Sequence, residues 1–446
     1  MKIDIDFAVD LVSKARKSGA DLAEVFIKSS KNLSVEIKDQ VVDSLESSFS
    51  FGYSLRIKKQ GRPGFSYSTD INDRDSVIKN AIEAADYSDE DIYIDLPESS
   101  DLMDVEIFDA ALSDINEDDA IRKTMLLEKS AYDEDRQIKK VRKASGSFTS
   151  AETAIVNSKG VETKYQSTSS SAQIMVVAEE GGESQSGWDF EGSRFLQDIS
   201  FEGIGRNAAR RAIQLLGSRK IEKAKAYVIL DNSVTVDFLG IFASSLSSDA
   251  VQKGKSLLKD RLNKKVMSSK INIIDSGLLK GRLGSKPVDD EGVPVKEKTL
   301  IREGVLQSFI YNTYTAKKGG TVSTGNAVRG SFASLPSVGI TNLFMEPASS
   351  PYSVPENKLF SSIDRGLYIV DAMGVHTANP ISGEFSVGVT GLWIEKGEVK
   401  FPVKEAVISG NILEFFDKIE AVGDDLRFYG NIGAPSLIIS ETDISA

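Results

Sequence analysis

The chain has 446 residues, with 54 Lys and Arg, 66 Asp and Glu, one histidine and no cysteine. That length exceeds what one hydrophobic core serves, so two or three domains are expected. A net charge of −12, with no basic run beyond Lys139–Lys143, lacks the phosphate-neutralising footprint of a nucleic-acid binder, and the absence of cysteine excludes disulfides and thiol nucleophiles.

The first residues, MKIDIDFAVDLVSKARK, carry Asp4, Asp6 and Asp10 where a secretory signal would need an unbroken apolar run. This predicts a cytoplasmic protein. No stretch approaches the ~20 apolar residues of a membrane span. Phe7–Lys17 has helical spacing, with Asp4 or Asp6 as cap and Gly19 as its end. Strands are predicted at Leu22–Ile27, Leu33–Ile37, Val41–Leu45, Phe49–Lys58 and Arg62–Thr69, punctuated by Gly61 and Pro63–Gly64. Ser76–Tyr87 returns to helix, and Asp89–Asp109 reads as an acidic linker. Asp118–Tyr132 is helical. Four strands follow, at Ile138–Thr149, Glu152–Asn157, Glu162–Ser169 and Ser171–Glu179, with turns at Ser158–Gly160 and Gly181–Gly182. Ile204–Leu216 closes this part as an amphipathic helix.

The order helix, strands, helix, helix, strands, helix suggests a duplicated sheet-plus-helix plan, in pattern though not in residue identity. After a charged hinge at Ser218–Lys225, the composition turns to glycine, proline and β-branched residues. Ala226–Leu230 reads as a buried strand and Ser233–Ser245 as a helix capped by Asn232 or Ser233. Hairpins are predicted at Thr299–Tyr311 and Gly391–Val403, with further strands at Leu367–Asp371 and Leu437–Ser440. The expected class is α+β. A domain over residues 1–220 (sub-segments 1–90 and 110–220) would hold a curved, mostly antiparallel sheet with packed helices. A β-rich, barrel-like domain would cover 221–446.

The residue content excludes most catalytic chemistries. A catalytic zinc site usually takes three protein ligands, and His376 has no second histidine or cysteine to join it. A serine triad would also have to use His376, and no G-x-S-x-G elbow occurs. Ser256 and Lys259 match S-x-x-K without its companion motifs. Gly254–Ser256 matches only the end of a P-loop, with Asp249 where the first glycine belongs. The cluster Asp289–Asp290–Glu291–Gly292 reads either as a carboxylate metal site or as an acidic turn bonded to its own backbone. Two glycine-rich stretches remain, Ser323–Ala327 and Gly374–Ser386. Their exposed backbone and mixed polar groups suit an extended peptide, and they also suit a tight connection that satisfies itself. The candidate peptide-binding residues are Thr324, Gly325, Asn326, His376, Asn379, Ser382, Gly383 and Phe385.

A series of short motifs, in order, resembles the TldD/PmbA family. It runs through Asp289–Pro294, Gly304–Leu306, Tyr311–Asn312, Tyr314–Ala316, Ser323–Asn326, Ser382–Ser386, Gly391–Glu395, Ile408–Asn411 and Ala421–Asp425. The N-terminal half matches in element order and in the Gly203–Gly217 helix. The resemblance implies a cytosolic peptidase assembly of two related subunits. In the TldD branch, a helix carrying His-Glu-x-x-x-His and a later cysteine hold zinc. Here the corresponding stretch, within Ser233–Lys255, has no His, Cys or Glu, and Gly433–Leu437 resembles the ending of the TldE/PmbA branch. The resemblance therefore implies no metal in this chain and zinc only in a TldD-like partner. The implied assembly is a heterodimer with that partner, or a homodimer, acting on unfolded or small peptides. Related chains have also been called modulators of DNA gyrase, which implies the alternative of a homo-oligomeric regulatory protein.

Overall fold

A computed structural model describes residues 3–445. Helix α1 (Ile5–Lys17) starts at Asp4, whose carboxylate accepts from the Asp6 amide. Three strands follow, β1 (Leu22–Lys38), β2 (Val41–Lys59) and β3 (Arg62–Ser68), and then helix α2 (Arg74–Asp86). The plan repeats with α3 (Glu117–Glu134), β4 (Ile138–Asn157), β5 (Glu162–Glu180), β6 (Glu183–Ser193) and α4 (Phe201–Ile213). The two triplets form one six-stranded sheet in the order β3-β2-β1-β4-β5-β6, joined antiparallel through β1 and β4. Two buried clusters lie on this sheet. One joins α1 and α2 to the ends of β1, β2 and β4, and the other joins α3 and α4 to β4 and β5.

Eight of the strands predicted in this part fuse into four long ones. Polar stretches such as Ser29–Asn32 and Ser44–Ser50 break the apolar alternation, but the ladder hydrogen bonds of their neighbours carry the backbone through them. Strand β6 was missed, because its sequence, ESQSGWDFEGS, is mostly polar. The segment between α2 and α3 has no regular structure except a short turn of helix at Ala110–Ser113.

Beyond residue 223, β7 (Ala224–Leu230) leads into helix α5 (Asn232–Ala243). The helix cap is Asp231, not Asn232 or Ser233; its carboxylate accepts from the Ser233 amide. Strand β7 closes a five-stranded ring with Arg365–Met373, Glu384–Glu395, Glu398–Asn411 and Leu437–Ser445. A second sheet packs beside it, built around Ile271–Ser276, Glu297–Arg302 and Leu343–Pro347. Aromatic packing of Phe238 on Phe385 and Phe415 fixes α5 against the ring. The return strand of the first predicted hairpin shrinks to Val305–Leu306. In the second hairpin the strands lengthen and absorb Glu384–Ser386, which the sequence had placed in an irregular stretch.

Candidate functional site

The N-terminal sheet meets the C-terminal part along two seams, and the first is ionic. Glu24 on β1 faces Arg56 on β2, which binds both its oxygens at 2.8 and 3.1 Å. Arg56 also reaches Glu291 at 2.9 Å, and Arg329 reaches Glu24 at 2.5 Å. Burial works against the Arg56 charge, but Glu24 and Glu291 outweigh it and hold its pKa above the usual range. Asp289 accepts from the amides of Glu291, Val293 and Ala327 at 2.9–3.0 Å. Burial and the neighbouring Glu291 push its carboxyl up to about 7. Asp290 instead pairs with Lys286 at 2.8 Å and accepts from the Arg329 amide. Asp289–Glu291 is thus an acidic turn whose three carboxylates point to three different sets of donors.

Thr324, Gly325 and Asn326 belong to this seam. Asn326 is fully buried. It donates to Asp275 and to the Gly339 carbonyl, and accepts from Lys298 and Thr324. Thr324 Oγ1 accepts from the Tyr311 amide at 2.8 Å. Gly325 has φ +72°, and a Cβ there would lie 2.6 Å from the Pro294 carbonyl oxygen, so the loop needs glycine. A cavity of about 540 Å³ opens beside the seam. Its apolar wall includes Ile57, Pro63 and Phe65 from β2 and β3, faced by Leu335, Pro336 and Val338. Tyr314, Asp91, Asp249 and Lys253 add polar groups.

The other predicted stretch lies elsewhere. His376 is exposed, in a short turn at Val375–Thr377 that packs near α5. Asn379 and Ser382 are also exposed; the Asn379 side chain accepts from the amides of Ile381 and Ser382. Gly383, at φ +79°, is buried against Leu257 and Asn411. Phe385 is in the core beside Phe238. Ser382 borders a separate cavity of about 440 Å³ with Leu257, Arg261 and Glu414. The structure groups Thr324, Gly325 and Asn326 in one place and His376, Asn379, Ser382, Gly383 and Phe385 in another.

The second seam was not anticipated. Arg211 on α4 donates to Asp231, to Ser233 and to the Val370 carbonyl at 2.6–3.0 Å, and Tyr368 donates to Asp231 at 2.5 Å. Arg427 reaches Asp189 at 2.9 Å, while Trp188 packs edge-on against Tyr429. These residues are far apart in sequence and carry no spacing that would flag them. On the outer side of α5, partial desolvation and the nearby Asp371 raise Asp237 to about 6.

Among the described residues, no group of three or more His, Cys, Asp and Glu side chains is placed to hold a metal ion. α5 offers only Asp237 as an ionisable ligand, and the single imidazole is on an exposed turn. The residues present do not fit a catalytic zinc. No helix of the described residues is long and apolar enough to cross a membrane.

Three family models match the chain. They are the PmbA/TldA metallopeptidase domain 1 over residues 23–85, the central domain over 110–216 and the C-terminal domain over 223–446. The chain is 32% identical over 434 residues to a metalloprotease PmbA homolog of Buchnera aphidicola, covering 95% of this chain and 92% of that one. It is 28% identical over 451 residues to metalloprotease PmbA of Escherichia coli O157:H7, covering 99% and 96%. A Thermotoga maritima crystal structure, described as a candidate modulator of a DNA gyrase, superposes with TM-score 0.91 at 27% identity and 99% coverage of both chains. TldE from Thermococcus kodakarensis shares the fold, with TM-score 0.89 at 21% identity over 99% of this chain and 100% of that one. The chain belongs to the PmbA/TldD metallopeptidase family.

Proposed function

We propose that this protein is the non-metal, TldE/PmbA-like subunit of a cytoplasmic TldD/TldE-type metallopeptidase complex acting on unfolded or small peptides. The observation that carries the reading is a match to the family along nearly the whole chain in a sequence with one histidine and no cysteine, whose described residues place no three His, Cys, Asp or Glu side chains to hold a metal ion. Zinc would polarise a carbonyl or supply a bound hydroxide. In this reading it sits in a TldD-like partner, and this chain encloses and positions. Residues 1–220 and 221–446 would act as two domains held by the two seams. Exposed His376, Asn379 and Ser382 would touch the peptide, while Thr324, Gly325, Asn326, Gly383 and Phe385 hold the backbone around the two loops. The apolar wall of the larger cavity would take peptide side chains without sequence preference.

Metal content and peptidase activity of the purified chain, with and without a TldD-like chain, test the reading. The expected result is no stoichiometric metal and no turnover alone, with turnover in the mixture. Turnover by the isolated chain would overturn it. A second reading, a homo-oligomeric regulator of the gyrase-modulator type, draws on the description of the Thermotoga maritima neighbour. Capture of gyrase from extract with no peptidase subunit would favour it.

A further inference from the structure

Asp275 lies on the strand Ile271–Ser276, directly opposite Lys298 on the strand Glu297–Arg302. The Lys298 side chain is only 8% exposed and the Asp275 side chain is fully buried, and the two pair at 2.9 Å between Nζ and Oδ2. Asn326 reaches the same place from the glycine-dependent loop before Ala327 and is also fully buried. A buried ion pair has a structural role open to it. The third residue changes what the group can do.

Lys298 Nζ donates to Asn326 Oδ1 at 2.8 Å, so an amine is held against a carboxamide. Asn326 Nδ2 donates to the same Asp275 oxygen, also at 2.8 Å. Asp275 Oδ2 therefore touches both the nitrogen that would attack and the nitrogen that would leave. Thr324 Oγ1 donates to Asn326 Oδ1 at 2.7 Å, closer than its other acceptor, the Tyr311 carbonyl at 3.1 Å. That oxygen is where negative charge would gather in a tetrahedral intermediate. The Thr341 amide and hydroxyl hold Asp275 at 2.7 and 2.9 Å. A nucleophile, a proton carrier and an oxyanion donor thus surround one carboxamide within hydrogen-bond reach. Burial lowers the Lys298 pKa and outweighs Asp275, which opposes the shift, so the neutral amine needed for attack is favoured.

We propose that Lys298 and Asn326 condense into an intramolecular isopeptide bond, with Asp275 as the catalytic residue. Asp275 takes one proton from the Lys298 ammonium, and the neutral amine attacks Asn326 Cγ. A C–N bond forms, and Thr324 holds the oxygen of the intermediate. Asp275 passes its proton to Nδ2 and takes a second from Nζ as the Cγ–Nδ2 bond breaks. The two protons lost by Nζ leave with Nδ2 as an ammonium ion, and Asp275 ends ionised as it began. No oxidant or cofactor enters the step.

The bond would close residues 298–326 into a covalent loop that carries the Thr313–Lys318 helix, which lines the larger cavity through Tyr314 and Thr315. It would also tie the second C-terminal sheet to the loop whose Ala327 amide Asp289 holds in the first seam. The inference stands apart from the peptidase reading, and its test uses this chain alone.

Mass spectrometry of the denatured wild-type chain, after incubation at neutral pH, is expected to give the sequence mass less one ammonia. Tryptic digestion should yield residues 297–302 joined to residues 319–329 in one branched peptide, uncut at Lys298. The wild-type measurement needs no variant to fold. Lys298→Arg and Asp275→Asn should each keep the full sequence mass. A wild type at full sequence mass would overturn the proposal. So would a loss of ammonia confined to an unbranched peptide, which would mean that the Ala327 amide had closed a ring on Asn326. A branched peptide in equal yield from the Asp275→Asn chain would overturn it too.

Discussion

The two halves of the N-terminal sheet meet the C-terminal part of the chain through different chemistry. The first seam is saturated. Glu24 and Glu291 give all four carboxylate oxygens to donors from Arg56, Arg329 and the Thr313 amide. In the second seam Asp189 is fully buried, but both its hydrogen bonds, from Arg427 and Asn207, fall on one oxygen, and Oδ1 has no partner among the described residues. A saturated network of buried charge resists removal of any member, because each loss strands the others. A half-satisfied one has less to lose. The comparison implies that the Glu24–Glu291 network of the first seam ties the two parts of the chain together more firmly than the Asp189–Arg427 pair of the second, where Asp231 is itself fully partnered.

The sharpest way to break that ranking is Glu24→Ala. Among the described residues, it takes the only carboxylate from the buried Arg329 guanidinium and one of two from Arg56, so chemical denaturation should show a loss of about 3–5 kcal/mol. A loss near that of an ordinary surface substitution would mean that the seam is hydrated in solution. Asp289→Ala comes next. It leaves three amides, two of them buried, without their acceptor, for about 3 kcal/mol.

Asp289 also sets a pH dependence. Its carboxyl moves from 3.8 to about 7 on folding, so the folded state holds the proton more tightly than the unfolded chain. Its contribution is therefore most favourable below about pH 4 and is lost as pH rises towards 7. Asp289→Asn should flatten that part of the stability profile between pH 4 and 7; an unchanged slope would place the titration elsewhere. Asp189→Asn, in the second seam, should cost only about 1–2 kcal/mol, since one oxygen is unpartnered already. A cost equal to that of Glu24→Ala would erase the distinction between the Glu24 network and the Asp189 pair.

The seams also mark what a reader of the sequence could see. Asp289–Asp290–Glu291 and Ser323–Asn326 stood out as dense polar clusters in sequence. The fold places them in the polar interior of a seam. The duplicated plan was visible because helical and strand periods alternate in the same order twice. Strand β6 and the fusion of β1, β2, β4 and β5 were hidden, because their polar residues are set by neighbouring strands and not by local pattern. Arg211, Asp231, Tyr368 and Arg427 could not be grouped from sequence, since tertiary contact alone brings them together. The scarcity of imidazole and thiol ligands was legible at once, because a count of histidine and cysteine needs no structure.

The smallest effect is expected at the residue that looked most like chemistry. His376 is exposed on a turn and is no part of either seam. His376→Ala should change stability by no more than about 0.5 kcal/mol, the range of ordinary surface substitutions. Its effect on function separates two roles. If the imidazole only touches peptide, turnover by a mixture with a TldD-like chain should show a raised KM at unchanged kcat, because contacts equal in ground and transition states alter binding alone. A fall in kcat with KM unchanged would assign His376 to the transition state and contradict its place in a chain that only encloses and positions.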